Sequence, residues 1–238
     1  MKLAGQVAIV TGGGRGIGRA VARVFAREGA AVVLAARTGS DLDQVVREIT
    51  AAGGRAAAVP TDVSDESAVD ALVTRALAEQ GRIDILVTAA GVASFGPVSG
   101  SQPADWSEML AVNLLGAMLC CRAVLPAMMA QRRGTIINIG SVVTSRALAG
   151  SAIYTVTKYG MLGFSRVLAE EMRQHGVRVG VLSAGATDTP LWNAVSSPPD
   201  RGLMLRAEQV AEAALVMAQV EANATLEEIT LLPAGGVL

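Results

Sequence analysis

Seven short apolar runs recur from one end of this chain to the other: VAIVT (7–11), AVVLA (31–35), RAAAV (55–59), DILVT (84–88), TIINI (135–139), VRVGVL (177–182) and EITLL (228–232). None shows the apolar–polar alternation of a strand with one wet face, so each is expected to be covered on both faces. The spans between them are long enough for helices and carry boundary signals. Ser40 is placed to cap one that ends at Gly53-Gly54, and Ser64 one that ends at Gly81. Strand and helix alternating in this way build a parallel sheet with right-handed crossovers. The chain is therefore read as α/β over 1–238: a single-domain, Rossmann-like, doubly wound parallel sheet of seven strands with helices on both faces.

Such a sheet needs apolar material for both faces, and 51% of the 238 residues are hydrophobic against 17% charged and 3% aromatic. The formal net charge of -1 gives no electrostatic basis for a nucleic-acid or acidic-membrane partner. The opening MKLAGQ runs directly into the first apolar run, without the charged and then long apolar pattern of a secretory leader. The longest near-apolar stretch, MLAVNLLGAMLCC (109–121), carries Asn113 and is too short to cross a bilayer. Cys120 and Cys121 are adjacent, which suits neither a disulfide framework nor a metal site, and the single histidine, His175, cannot complete one. A cytoplasmic protein with no metal and no membrane or nucleic-acid partner is expected.

Residues 184–206, AGATDTPLWNAVSSPPDRGLMLR, hold three prolines and no period. The stretch follows the sixth run, at the sheet edge where such folds bind ligands, so it is expected to cover a substrate site as a lid.

TGGGRGIG (11–18) follows the first run and opens the first helix. Gly12, Gly16 and Gly18 are spaced G-x-x-x-G-x-G rather than G-x-G-x-x-G, but the physical needs are the same. Glycine permits positive φ and close backbone approach, and the helix start offers unpaired N–H groups to a pyrophosphate. Dinucleotide contacts are expected along Gly12, Gly14, Arg15, Gly16, Ile17 and Gly18. In VVLAAR, Ala36 stands where an acid would hold a free ribose 2′-hydroxyl, and Arg37 follows it. Arg37 and Arg15 together favour a 2′-phosphate, so NADP (NADPH) is the preferred cofactor and NAD a possible one.

With this loop, Asn113, Ser141 and the run Y154-T-V-T-K158 resemble the short-chain dehydrogenase/reductase family across essentially the whole chain, nearest its 3-oxoacyl-(acyl-carrier-protein) reductases. The resemblance implies a strand order 3-2-1-4-5-6-7 and a catalytic tetrad of Asn113, Ser141, Tyr154 and Lys158. It also implies that Asp62 and Val63 meet the adenine, Ala90 and Gly91 the adenosine ribose, and Gly185, Thr187 and Thr189 the nicotinamide end. Asn113, Tyr154 and Lys158 count among the cofactor contacts as well. The implied substrate is a small-molecule ketone or alcohol, free or carrier-bound, with a 3-oxoacyl thioester first. The implied assembly is a homotetramer or homodimer using helices around 104–131 and 151–174 and the tail ITLLPAGGVL. Two positions depart from the family pattern. Thr88-Ala89-Ala90-Gly91 replaces N-N-A-G, losing an asparagine that ties strands together, and Ala184-Gly185 replaces P-G, relaxing a turn beside the nicotinamide.

Tyr154 and Lys158, at i and i+4, share a helix face. A phenol with a pKa of about 10 is a weak acid–base group at neutral pH, and the nearby ammonium, helped by the positive nicotinamide ring of the oxidised cofactor, is expected to lower it. Tyr154 would then protonate a carbonyl oxygen polarised by Ser141, while hydride reaches the carbon from the cofactor. Lys158 would also hold the nicotinamide ribose, and Asn113 a proton-passing water. Ser94-Phe95, Val142–Gly150 and the 187–206 loop would line the substrate pocket, and Arg132, Arg133 and Arg173 offer a docking patch for an acidic carrier. No G-x-S-x-G elbow supports a hydrolase. A non-catalytic nucleotide sensor on the same fold is the remaining alternative, and the complete tetrad speaks against it.

Overall fold

The computed structural model describes residues 1–195 and 198–236. The strands are β1 (Val7–Thr11), β2 (Ala31–Ala36), β3 (Arg55–Pro60), β4 (Ile85–Thr88), β5 (Gly134–Ser141), β6 (Val177–Ala184), β7 (Thr187–Asp188), β8 (Leu205–Arg206) and β9 (Glu228–Leu231). Seven of them form one sheet in the order β3-β2-β1-β4-β5-β6-β9, every neighbouring pair parallel. The expected order is thus present, with β9 as its last member.

Helices α1 (Gly16–Arg27), α2 (Gly39–Ala51) and α7 (Ala207–Gln219) pack on one face, around Phe25, Leu34, Leu42, Val210 and Leu215. On the other face α3 (Glu66–Gln80), α5 (Gly116–Gln131) and α6 (Ala152–Arg173) enclose Leu72, Leu86, Cys121, Ile136 and Leu168. Every residue of β1, β4 and β5 is buried between these layers, which is why their sequences carry no alternation. The two sheet edges differ from that expectation. Much of β3 is open to solvent, and β9 alternates exposed Glu228 and Thr230 with half-buried Ile229 and Leu231.

Two caps also differ. Helix α3 is capped by Asp65, whose carboxylate accepts the Ser67 and Ala68 N–H groups, while the Ser64 hydroxyl donates to Asp62. An ionised acceptor at a helix start gains from the dipole as well as the hydrogen bonds. Helix α2 begins at Gly39 after Thr38, which leaves Ser40 inside the first turn. Gly81 does end α3, with φ 75°.

The apolar stretch around 109–121 belongs to a longer helical element. Helix α4 (Pro103–Met109), a π-turn over Leu110–Leu115 and α5 run on without a break to Gln131. By length and by an 18-residue window of mean hydropathy 1.8 this 29-residue element would suffice to cross a bilayer, but α5 within it lies in the layer with α3 and α6. The 184–206 stretch is not wholly irregular: β7 pairs with β8, and short 3-10 turns cover Pro190–Ala194 and Arg201–Leu203. Ser196 and Ser197 within it lie outside the described residues, as do the last two residues of the tail.

The strand tie expected to be lost after β4 is made by other residues. Thr88 Oγ1 donates to Asn138 Oδ1 at 2.6 Å, and Asn138 Nδ2 donates to Ser165 Oγ at 2.8 Å, linking β4, β5 and α6. The Ala89 and Ala90 N–H groups both donate to Thr11 Oγ1, joining the end of β4 to β1. After β6, the turn at Ala184-Gly185 is fixed without proline, because Gly185 N–H donates to Leu231 O at 2.8 Å.

Candidate active site

A cavity of about 270 Å³ opens where the carboxyl ends of β1, β2, β4, β5 and β6 meet. One end is lined by Gly12, Gly14, Arg15, Gly16 and Ile17 from the β1–α1 turn, with Ala36, Arg37, Asp62 and Val63 beside them. Gly12 has φ 65° and Gly16 φ 54°, a region open to glycine at little cost. A Cβ on Gly12 would stand 2.7 Å from Ala89 O, so β4 and the turn approach as closely as backbones allow. The first turn of α1 has no side-chain cap from Arg15, which leaves its N–H groups facing the cavity's glycine end. Arg15 and Arg37 are exposed at this end and form no ion pair among the described residues. These features fit the pyrophosphate and phosphorylated ribose of a dinucleotide. Asp62 is held by its own turn: Ser64 N–H and hydroxyl both donate to it, and these bonds, with Arg37 contributing, lower its carboxyl below the usual value.

Two of the expected residues do not reach the cavity. Gly18 is buried in α1, where a side chain would drive into the backbone of Gly12 and Gly13; it lets helix and turn pack. Asn113 is fully buried at the π-turn. Its Oδ1 accepts Val92 N–H at 2.8 Å, and its Nδ2 donates to Val92 O at 2.8 Å and Thr157 Oγ1 at 3.4 Å. A side chain so occupied positions the loop after β4 against α6. The π-turn is what aims it there, since one extra residue per turn rotates the helix face.

The other end of the cavity is lined by Ser141, Tyr154, Lys158, Gly185, Thr187 and Thr189, with Ala90 and Gly91 between the two ends. Ser141 ends β5, and Tyr154 and Lys158 face it from the first turns of α6. Lys158 is buried; its Nζ donates to Ile139 O at 2.8 Å and lies 5.6 Å from the Tyr154 ring centre. Burial pushes its pKa down to about 8. In the protein alone, the ammonium does not lower the Tyr154 phenol. Burial raises its pKa above 10.0, and the Ser141 hydroxyl only partly offsets this. The reason is geometric: the ammonium points to the Ile139 carbonyl and over the ring, so it does not hydrogen-bond the phenol oxygen. In the free protein Tyr154 is therefore a protonated donor at neutral pH.

Two residues of the expected substrate pocket meet here, and Asp41 joins the cavity without having been expected. Trp192 stacks on Phe95 with ring centres 5.7 Å apart and planes 5° from parallel, and Phe95 meets Tyr154 at 5.8 Å. Asp41, from the first turn of α2, lines the adenosine end, where its Cβ would touch a side chain added at Gly14. The arginine patch is elsewhere. Arg132 and Arg133 precede β5, at the amino ends of the strands and away from the cavity, and Arg173 is paired with Glu170 and Glu227.

A glycine turn that admits a dinucleotide and a serine–tyrosine–lysine group at the far end of the same cavity define an oxidoreductase acting on a carbinol or carbonyl. The chain belongs to the short-chain dehydrogenase family, whose model matches residues 6–200. It is 33% identical over 230 residues to a 3-oxoacyl-(acyl-carrier-protein) reductase of Escherichia coli, covering 93% of each. Among solved structures it resembles a metagenomic short-chain oxidoreductase in complex with NADP, with a TM-score of 0.87 and 39% identity over 98% of this chain and 99% of the other. An alcohol dehydrogenase from the archaeon Thermococcus sibiricus, complexed with 5-hydroxy-NADP, gives a TM-score of 0.89 at 28% identity, over 96% and 97%.

Proposed function

We propose that this oxidoreductase uses NADPH to reduce a ketone to a secondary alcohol and catalyses the reverse oxidation with NADP, NAD being the weaker partner. The observation that carries this reading is one cavity lined at one end by the glycine turn with Arg15 and Arg37, and at the other by Ser141, Tyr154 and Lys158. The NADP complexes of the two similar structures support the choice of cofactor.

When bound, the reduced nicotinamide supplies a hydride to the carbonyl carbon. Tyr154 gives its proton to the carbonyl oxygen, so that the ketone gains one hydride and one proton and becomes the alcohol. The Ser141 hydroxyl donates to the same oxygen as negative charge grows there. Lys158 is mostly ammonium at neutral pH, since its pKa is about 8, and its charge favours the phenolate left on Tyr154 until solvent returns a proton. Asn113 acts as a positioning residue through Val92 and Thr157.

A 3-oxoacyl thioester is the first substrate reading, from the similarity to the E. coli reductase. A second reading, an uncharged ketone of other origin, is favoured by the apolar substrate end, where Phe95, Val142, Leu148, Leu191 and Trp192 surround a single cation, Lys158. The test is NADPH oxidation with acetoacetyl thioesters and with simple and aryl ketones. Ketone-dependent oxidation of one NADPH per alcohol formed is expected; no turnover of any ketone with either cofactor would overturn the reductase reading. Association of copies through the long helices is supported by exposed Leu115, Val156, Tyr159 and Val167. Sedimentation is expected to give a tetramer or dimer of the 24.3 kDa chain, and a monomer at micromolar concentration would refute it.

A further inference from the structure

Beside the cavity described above lies a second of about 270 Å³, lined by Pro97, Val98, Asp105, Trp106, Met109 and Ile153 among others. One residue lines both: Phe95. Its ring is held on either side, stacked on Trp192 and tilted against Tyr154, so it stands directly next to the proton donor. Trp192 is itself anchored, its Nε1 donating to Thr187 O at 2.9 Å. The loop carrying Phe95 is latched to the segment before α6, where Gly96 N–H donates to Gly150 O at 2.8 Å. A ring fixed by two aromatic neighbours on a latched loop is a wall rather than a swinging gate. The chain has only two Trp, two Tyr and three Phe, yet both Trp, Tyr154 and Phe95 stand around these two cavities.

We infer that Phe95 is a specificity-determining residue of this enzyme: it partitions the substrate space and limits the ketones accepted to those with one compact substituent on the carbonyl. This rests on the reductase reading above. A longer apolar substituent would have its place in the second cavity, among Val98, Trp106, Met109 and Ile153, and the Phe95 ring closes the way to it. Phe95 offers no hydrogen bond, so shortening it strands no polar partner and exchanges a wall for a passage.

The test compares acetophenone with valerophenone, which share a phenyl group and differ in a methyl against a butyl substituent. The parent enzyme is expected to favour acetophenone. Phe95→Ala should raise the valerophenone-to-acetophenone ratio of kcat/KM by at least about tenfold, since each methylene in a fitted pocket discriminates by roughly that much or more. Adding Ile153→Trp, which fills the second cavity, should return the ratio toward the parent value. NADPH affinity should stay within about twofold throughout, a change of only about 0.4 kcal/mol. A ratio that does not move in a folded Phe95→Ala enzyme overturns the inference. Should that variant fail to fold, Phe95→Leu is expected to shift the ratio in the same direction, and an unchanged ratio there overturns it equally. If the parent reduces neither ketone, binding still decides the partition; the reductase reading itself fails only when no ketone or acetoacetyl thioester is turned over with either cofactor. In a Trp192→Phe background Trp106 is the one remaining tryptophan. Valerophenone should then quench its emission only when Phe95 is also Ala; equal quenching with and without Phe95 refutes the wall.

Discussion

On the proposed function, the backbone does the recognising at the glycine end of the cavity, and side chains do it at the Tyr154 end. Gly12 and Gly16 present N–H groups from a turn so tight that a single added carbon would meet Ala89. Ser141, Tyr154 and Lys158 instead project functional groups from the end of a buried strand and the start of a long helix. The difference teaches where each end is fragile. A backbone site fails when bulk is added, whereas a side-chain site fails when a functional group is removed. On the same reading, discrimination at the glycine end falls to two exposed arginines, whose contribution is modest and screened by salt. On the proposed function, catalysis at the other end falls to a buried cation with one backbone partner and a half-buried phenol.

The largest effect should come from the side-chain end. Tyr154→Phe keeps the ring against Phe95 but removes the proton, and turnover should fall by about 10²–10⁴-fold while NADPH still binds. Near-normal kcat in that variant would mean another group donates, and the contrast between the two ends would collapse. The backbone end should break next: Gly12→Ala forces a Cβ into Ala89 O at φ 65°, a strain of about 1–3 kcal/mol. NADPH affinity measured by fluorescence titration should drop roughly 10–100-fold, and unchanged affinity would show that the turn has room the distances deny.

A smaller effect belongs to the arginines. The parent should prefer NADPH over NADH by at least about tenfold in kcat/KM, about 1.4 kcal/mol, and Ala36→Asp with Arg37→Ala should reverse that preference. A parent that prefers NADH would place both arginines in solvent and give the adenosine end to Asp41, which also lines it.

The last effect is a pH slope, read in stability rather than in activity. Lys158 has its pKa near 8 in the fold against 10.5 when exposed, so between those values the unfolded chain holds the extra proton. Stability from this group should therefore rise from about pH 8 toward 10 and stay flat below 8, where both states are protonated. Cys120, Cys121 and Tyr154, all raised by burial, slope the other way above their ordinary values. The difference in urea unfolding between the parent and Lys158→Met isolates the lysine. An identical pH profile in both would mean that Lys158 keeps its charge in the fold.

Much of the architecture was legible because its signals are local. Uninterrupted apolar runs at β1, β4 and β5 reported burial on both faces, and the glycine turn announced itself by its position between a run and a helix. Local signals failed at α3, where Asp65 rather than Ser64 is the cap: both residues suit the position, and the choice depended on Ser64 being drawn to Asp62. The missing asparagine after β4 suggested a weaker joint, yet Thr88 and Thr11 make the tie from strands the sequence could not pair side chain by side chain.

The parallel sheet, the nucleotide turn and the residue types at the Tyr154 end were readable from the chain, since each is written within a few residues. Only the tertiary structure decided how those residues are used. Asn113 turns out to hold Val92, and Lys158 to point at Ile139 rather than at the phenol. Phe95 meets Trp192 across almost a hundred residues of chain. Burial then sets the proton affinities, raising Tyr154 and lowering Lys158, because a charge's cost depends on what surrounds it in space and not on its neighbours in sequence.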